Sequence, residues 1–153
     1  MIQRIQSIYL FLAAIFMGGL FLQSADLITI DTSTPTALAE MEYYKDKILD
    51  IYDQNLLIAF ALIVAIFAVI SIFLFKKRKL QITLSRVAML VVLLFLIMTI
   101  YVSYADLANV MSSINVMPGY GIFLPFLTIV VLILAVRNIK KDDKLVKSMD
   151  RLR

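Results

Sequence analysis

The stretch Gln54-Asn55-Leu56-Leu57-Ile58-Ala59-Phe60-Ala61-Leu62-Ile63-Val64-Ala65-Ile66-Phe67-Ala68-Val69-Ile70-Ser71-Ile72-Phe73-Leu74-Phe75, followed at once by Lys76-Lys77-Arg78-Lys79, decides the fold. It runs for 22 residues without an ionisable side chain. At a rise of about 1.5 Å per residue, a helix of this length crosses a hydrocarbon core of about 30 Å. The four cations behind it are too costly to follow it into lipid, so they mark the membrane surface.

Outward from that segment the same punctuation recurs. Uncharged intervals of 21, 19 and 30 residues lie between Arg4 and Asp26, between Arg86 and Asp106, and between Asp106 and Arg137. The last is too long for one span and is broken by Met117-Pro118-Gly119-Tyr120-Gly121. Four transmembrane helices are expected, near 7–23, 54–75, 87–105 and 120–136, with a tail over 137–153, all in one membrane domain. Composition agrees. Hydrophobic residues make up 62% of the 153 residues and charged ones 17%, against roughly 45–50% apolar and 25% charged in soluble domains. So short a chain cannot bury that much apolar surface in its own core, and lipid must solvate the rest.

Charge sets the expected orientation. Arg4, the loop Lys76–Arg86 and the tail from Arg137 together carry +10, while residues 26–53 and Asp106 carry −6. Excess Lys and Arg stay cytoplasmic, so both termini are expected inside, at a bacterial inner membrane. The overall +4 is thereby explained without nucleic acid. Tyr52, Tyr101, Tyr104 and Tyr120 fall near the outer ends, and Tyr9 near the inner end of the first helix, as interfacial rings do. Arg4 and the apolar run Ile8–Leu22 have the outline of a signal peptide. That run is long for one, and Gln23 stands where a small residue is wanted, so the segment is read as a retained span.

Chemistry is scarce. There is no Cys and no His, which excludes disulfides, catalytic thiols and the usual zinc and haem ligation. No cofactor, metal site or catalytic residue is expected. None of the four spans holds an ionisable group, which argues against proton pumps, ion-coupled carriers and voltage sensors. The best polar feature is Thr99, Ser103 and Asp106, at i, i+4 and i+7 on the third helix. It is either a ligand-binding stripe or a pair of hydroxyls bonded to their own helix with Asp106 in the interface. Gly119-Tyr120-Gly121 has the end of a potassium filter, but Met117-Pro118 replaces its Thr-Val and no pore helix precedes it. A turn into the last span explains these glycines, and Pro125 is expected to kink that span. Ala14 and Gly18, and Ala61, Ala65 and Ala68, form small-residue faces suited to helix packing. The third span reads as mainly lipid-facing.

The connecting segments carry two more expectations. Pro35 to Asp53 has helical periodicity and is read as an extracytoplasmic helix leading into the second span, serving as a docking surface or lid, or lying on the bundle or headgroups. The tail is read as a basic helix against anionic lipid, with Asp142-Asp143 on a solvated face. Asp150 is expected to pair with Arg4 or a second-loop cation, or within the tail with Lys147 or Arg153.

The two ends, Met1-Ile2-Gln3-Arg4-Ile5-Gln6-Ser7-Ile8-Tyr9-Leu10 and Asp143-Lys144-Leu145-Val146-Lys147-Ser148-Met149-Asp150-Arg151-Leu152-Arg153, resemble those of an uncharacterised four-pass inner-membrane family, a domain of unknown function in bacteroidete-type bacteria. The resemblance implies fold and location and lends no chemistry. It singles out Arg4, Lys147, Asp150, Arg151 and Arg153 as candidate partner or lipid contacts. The whole reads as all-α, a four-transmembrane-helix bundle. The expected function is that of a non-enzymatic accessory or scaffold subunit of an envelope complex, contacting the lipid bilayer and a protein partner or itself. The alternative is a binder or carrier of a small lipidic or apolar molecule in a cleft beside Thr99.

Overall fold

The computed structural model describes residues 3–31, 46–107 and 115–150. Four helices dominate it: α1 (Gln3–Gly19), α2 (Asn55–Phe73), α3 (Arg78–Leu107) and α4 (Phe123–Asp150). Short strands β1 (Ile28–Asp31), β2 (Ile48–Leu49) and β3 (Asn115–Pro118) lie in the connections. Three helices are long and apolar enough to cross a membrane, and α1 adds the shorter apolar stretch Ile5–Gly19. The helices form a ring in which α1 touches α2 and α4, and α3 touches α2 and α4. Helices consecutive in sequence are thus neighbours in space, and the last closes on the first.

One spacing explains the ring. The buried residues are Gln6, Leu10, Ala13 and Met17 on α1, with Leu20 just past its end, and Leu57, Ala61, Val64, Ala68 and Ser71 on α2. On α3 they include Gln81, Ser85, Ala88, Val92, Phe95, Thr99 and Val102, and on α4 Thr128, Leu132, Ala135, Ile139 and Asp142. Every stripe steps by four and three residues in turn. That repeat keeps one narrow seam of each helix facing its neighbours, as in antiparallel bundles. The opposite faces expose Ile8, Phe11, Ile66, Ile97, Ile100 and Val130. Such continuous apolar exposure is compatible with lipid and not with water. The chain is a multi-pass membrane protein.

The third span leaves most of its apolar window exposed, as expected, while burying as large a share of it as α4 does; α2 is the more exposed. Other expectations need correction. The expected helix from Pro35 to Asp53 does not run into the second span. Residues 32–45 lie outside the described residues, and 46–53 form β2 and turns. There Ile28 pairs with Leu49 and Thr29 with Ile48, and Lys47 takes a φ of 69° that no helix permits. Long-range pairing has overridden local periodicity. β1 is central, antiparallel also to β3 with Ile30 opposite Val116, so the helical bundle carries a three-stranded cap. Ile30 and Leu49 in this cap pack on Val102 and Leu107 of α3. Pro125 does not interrupt a helix, because α4 begins only at Phe123 after a 3-10 turn at Tyr120–Ile122. In a first turn the missing N–H has no partner to lose.

Candidate functional site

At the end of the bundle away from the sheet, each inward stripe finishes on a polar residue: Gln6 from α1, Ser71 from α2, Gln81 from α3 and Asp142 from α4. All four are buried. The Gln6 side-chain amide donates to Oδ2 of Asp142. Arg78 Nη1 donates to the Asp142 carbonyl at 3.1 Å. These two bonds tie both α1 and the start of α3 to the same turn of α4. Asp142, expected on a solvated face, is therefore an interior residue. Ser85 adds a hydroxyl one turn below Gln81, bonded to the Gln81 carbonyl at 2.9 Å.

The layer is only partly satisfied. Asp142 Oδ1, Gln81 Oε1 and Ser71 Oγ are buried without a hydrogen-bond partner among the described residues. An unpaired buried polar atom costs about 1–3 kcal/mol. Two of these atoms are pure acceptors, so the layer is chemically a place that accepts protons or hydrogen-bond donors. The sequence reading placed Asp142 on a solvated face and gave the other three no role. Their signal was phase: Gln6, Ser71 and Asp142 are each the next step of the four-three stripe beyond the last apolar residue, and Gln81 is the step after Ser85.

The residues singled out in the sequence fall elsewhere. Thr99 donates to the Phe95 carbonyl at 2.9 Å and Ser103 to the Thr99 carbonyl at 2.7 Å, both buried. This is back-bonding along one helix. The Asp106 side chain lies outside the described residues, as do those of Arg4, Lys147 and Asp150 and residues 151–153. The expected pairing of Asp150 falls there too. Ala61 and Ala68 are buried in the seam, and Ala65 and Ala14 are half-buried. A shallow apolar crevice of about 330 Å³ runs between those two, bounded by Ile66, Val69 and Ile70. Gly18 is not in the seam. It faces outward, and a Cβ there would meet nothing within 4 Å, whereas one on Gly19 would lie 3.4 Å from Leu124.

At the opposite end Gly119 and Gly121 do fixed work. Their N–H groups donate to the Leu27 and Asp26 carbonyls at 3.0 and 2.7 Å. A Cβ on either would come within 2.2 Å of a backbone oxygen, that of Asp26 or of Ala25. Only glycine lets the start of α4 approach the first connection so closely. Tyr52 joins the same cap, donating to the Phe21 carbonyl at 2.9 Å with the rings edge to face at 6.2 Å. Partial burial pushes the Asp53 carboxyl above the usual carboxylate range. The Asp50 N–H bonded to it at 2.7 Å opposes the shift, and the charges of Asp50 and Asp46 add to it.

No curated protein and no solved structure matches the chain. The sequence profile of the family described as Domain of unknown function (DUF4293) matches residues 2–152, nearly the whole length, and the protein belongs to that family.

Proposed function

We propose that the protein is a non-enzymatic subunit of the bacterial inner membrane, with both termini cytoplasmic, acting as an accessory or scaffold element of a larger envelope assembly. The observation that supports this is the outward face shared by α1 and α2. Gly18 faces outward with open space around it, and Ala14 and Ala65 leave a crevice one turn away. Lipid chains have no need of small side chains, but a second helix does, because its backbone can then approach closely. The partner is a transmembrane helix of another protein. The alternative role, a carrier of a small apolar molecule, gains nothing from the Thr99–Ser103 stripe, whose hydroxyls turn inward onto their own helix.

Purification in mild detergent tests the proposal. A co-purifying protein should be lost from Gly18→Leu and Ala14→Leu but retained by Val130→Phe, a comparable enlargement on the exposed face of α4. An isolated monomer in every case, or the same co-purifying protein in every variant, would remove the proposal's basis.

A further inference from the structure

Beside the polar layer, a groove of about 690 Å³ opens between the α2–α3 turn and the last turns of α4. Its lining is Phe75, Lys77, Arg78, Lys79, Leu80, Asp143 and Val146. Phe75 and Leu80 are exposed, although both are large and apolar. Phe75 is also the last residue of the uncharged run, so the groove lies where hydrocarbon gives way to headgroups. Three consecutive cations face one acid across it, leaving the lining with an excess of two positive charges.

We propose that this groove holds the phosphate headgroup of an anionic phospholipid, with Phe75, Leu80 and Val146 against its glycerol and first methylenes. Charge complementarity argues for the anion. Lys77 and Lys79 are exposed point charges, and Arg78 is held in place by its bond to the Asp142 carbonyl while its fork retains further N–H donors. The first turn of α3 contains no acid of its own, so the positive end of this 30-residue helix adds to the cations. The apolar wall argues for a lipid over free phosphate, since a soluble anion gains nothing from Phe75 or Leu80. The volume lies within the range of about 300–1,000 Å³ usual for ligand sites.

The site would also couple lipid to the fold. Arg78 lines the groove and reaches the turn of α4 that Gln6 fastens from the other side. An occupied groove therefore reinforces the contact between α3 and the tail.

Native mass spectrometry of the full-length protein, titrated with phosphatidylglycerol or phosphatidylcholine, decides the matter. Phosphatidylglycerol is expected to be retained in preference to phosphatidylcholine, as a single discrete adduct. Lys77→Gln/Lys79→Gln should weaken that adduct roughly thirtyfold, the effect of two cations close to the headgroup. Lys140→Gln/Lys144→Gln removes the same charge from α4 outside the lining and should change it less than about twofold. Excess inorganic phosphate should not displace the lipid. Equal retention of the two lipids, equal loss in the two double variants, or displacement by phosphate alone would each overturn the proposal.

Discussion

Gln6 and Asp142 stand 136 residues apart in sequence and are joined by a buried hydrogen bond, amide to carboxylate. The bond closes the ring of helices between its first and last members, at the level where α4 leaves the apolar region. Past this bond α4 runs on as the same helix to Asp150, carrying the basic tail as an extension of the bundle.

Removing the Gln6 donor should be costly, because the Asp142 carboxylate would stay buried. Gln6→Leu is expected to lower stability by about 2–3 kcal/mol, the scale for a hydrogen bond to a charged group. Hydrogen exchange over 137–150 should rise with it. Asp142→Asn keeps an acceptor for Gln6 while removing a buried charge, and should cost less than Gln6→Leu. Thermal unfolding in detergent of the two variants, side by side, checks the order.

Gly121→Ala and Gly119→Ala should each destabilise the cap by about 3 kcal/mol, since the added carbon meets backbone oxygen that cannot turn aside. Gly18→Ala should change stability by no more than about 0.5 kcal/mol, having nothing near it. Equal melting temperatures for Gly121→Ala and Gly18→Ala would contradict the close approach.

The raised pKa of Asp53 has a definite sign. The folded protein binds that proton more tightly than the unfolded chain, so this carboxyl favours folding less as pH rises through its folded value. Asp53→Asn should therefore raise the melting temperature slightly at neutral pH. The gain should fade as pH drops through the usual carboxylate range. Asp53 is largely exposed, which keeps the effect small. A melting temperature lowered by Asp53→Asn at neutral pH would show that the bond from the Asp50 N–H outweighs burial.

Thr99→Val and Ser103→Ala should each shift stability by less than about 1 kcal/mol, because each hydroxyl bonds a carbonyl of its own helix. If either change abolished binding of a small apolar ligand while leaving the melting temperature untouched, the carrier reading would regain ground.

Single cysteines are easily placed in a chain that has none. Asp31→Cys on β1 and Lys79→Cys on α3 should react with an impermeant maleimide from opposite faces of the membrane. Reaction of both from the outside of intact cells would overturn the proposed orientation.

The helices themselves were legible because lipid imposes so simple a rule. A segment of about 20 residues without charge must be a helix if it is to satisfy its backbone in hydrocarbon. The Lys76–Lys79 cluster and the acids from Asp26 to Asp53 mark ends by the same logic. Even the buried polar layer had a trace in the sequence, since Gln6, Ser71, Gln81 and Asp142 continue the four-three stripes. Inspecting the apolar residues alone passed over it, because polar side chains near membrane ends usually point to water.

What the chain by itself determined is the set of apolar helices and the repeat that makes them a bundle, both properties of neighbours within a few turns. What only the tertiary structure decided are contacts between distant segments. β1 pairs with β2 farther along its own connection and with β3 from the connection before α4, and no local pattern names those partners. Gly119 and Gly121 look like ordinary turn residues until the carbonyls of Ala25 and Asp26 arrive beside them. Asp142 reads as one more charge in a basic tail until Gln6 and Arg78 enclose it. Periodicity shows which face of a helix turns inward, but not which groups stand opposite. Hydrogen bonds and close backbone approaches depend on that second fact, and only the folded chain supplies it.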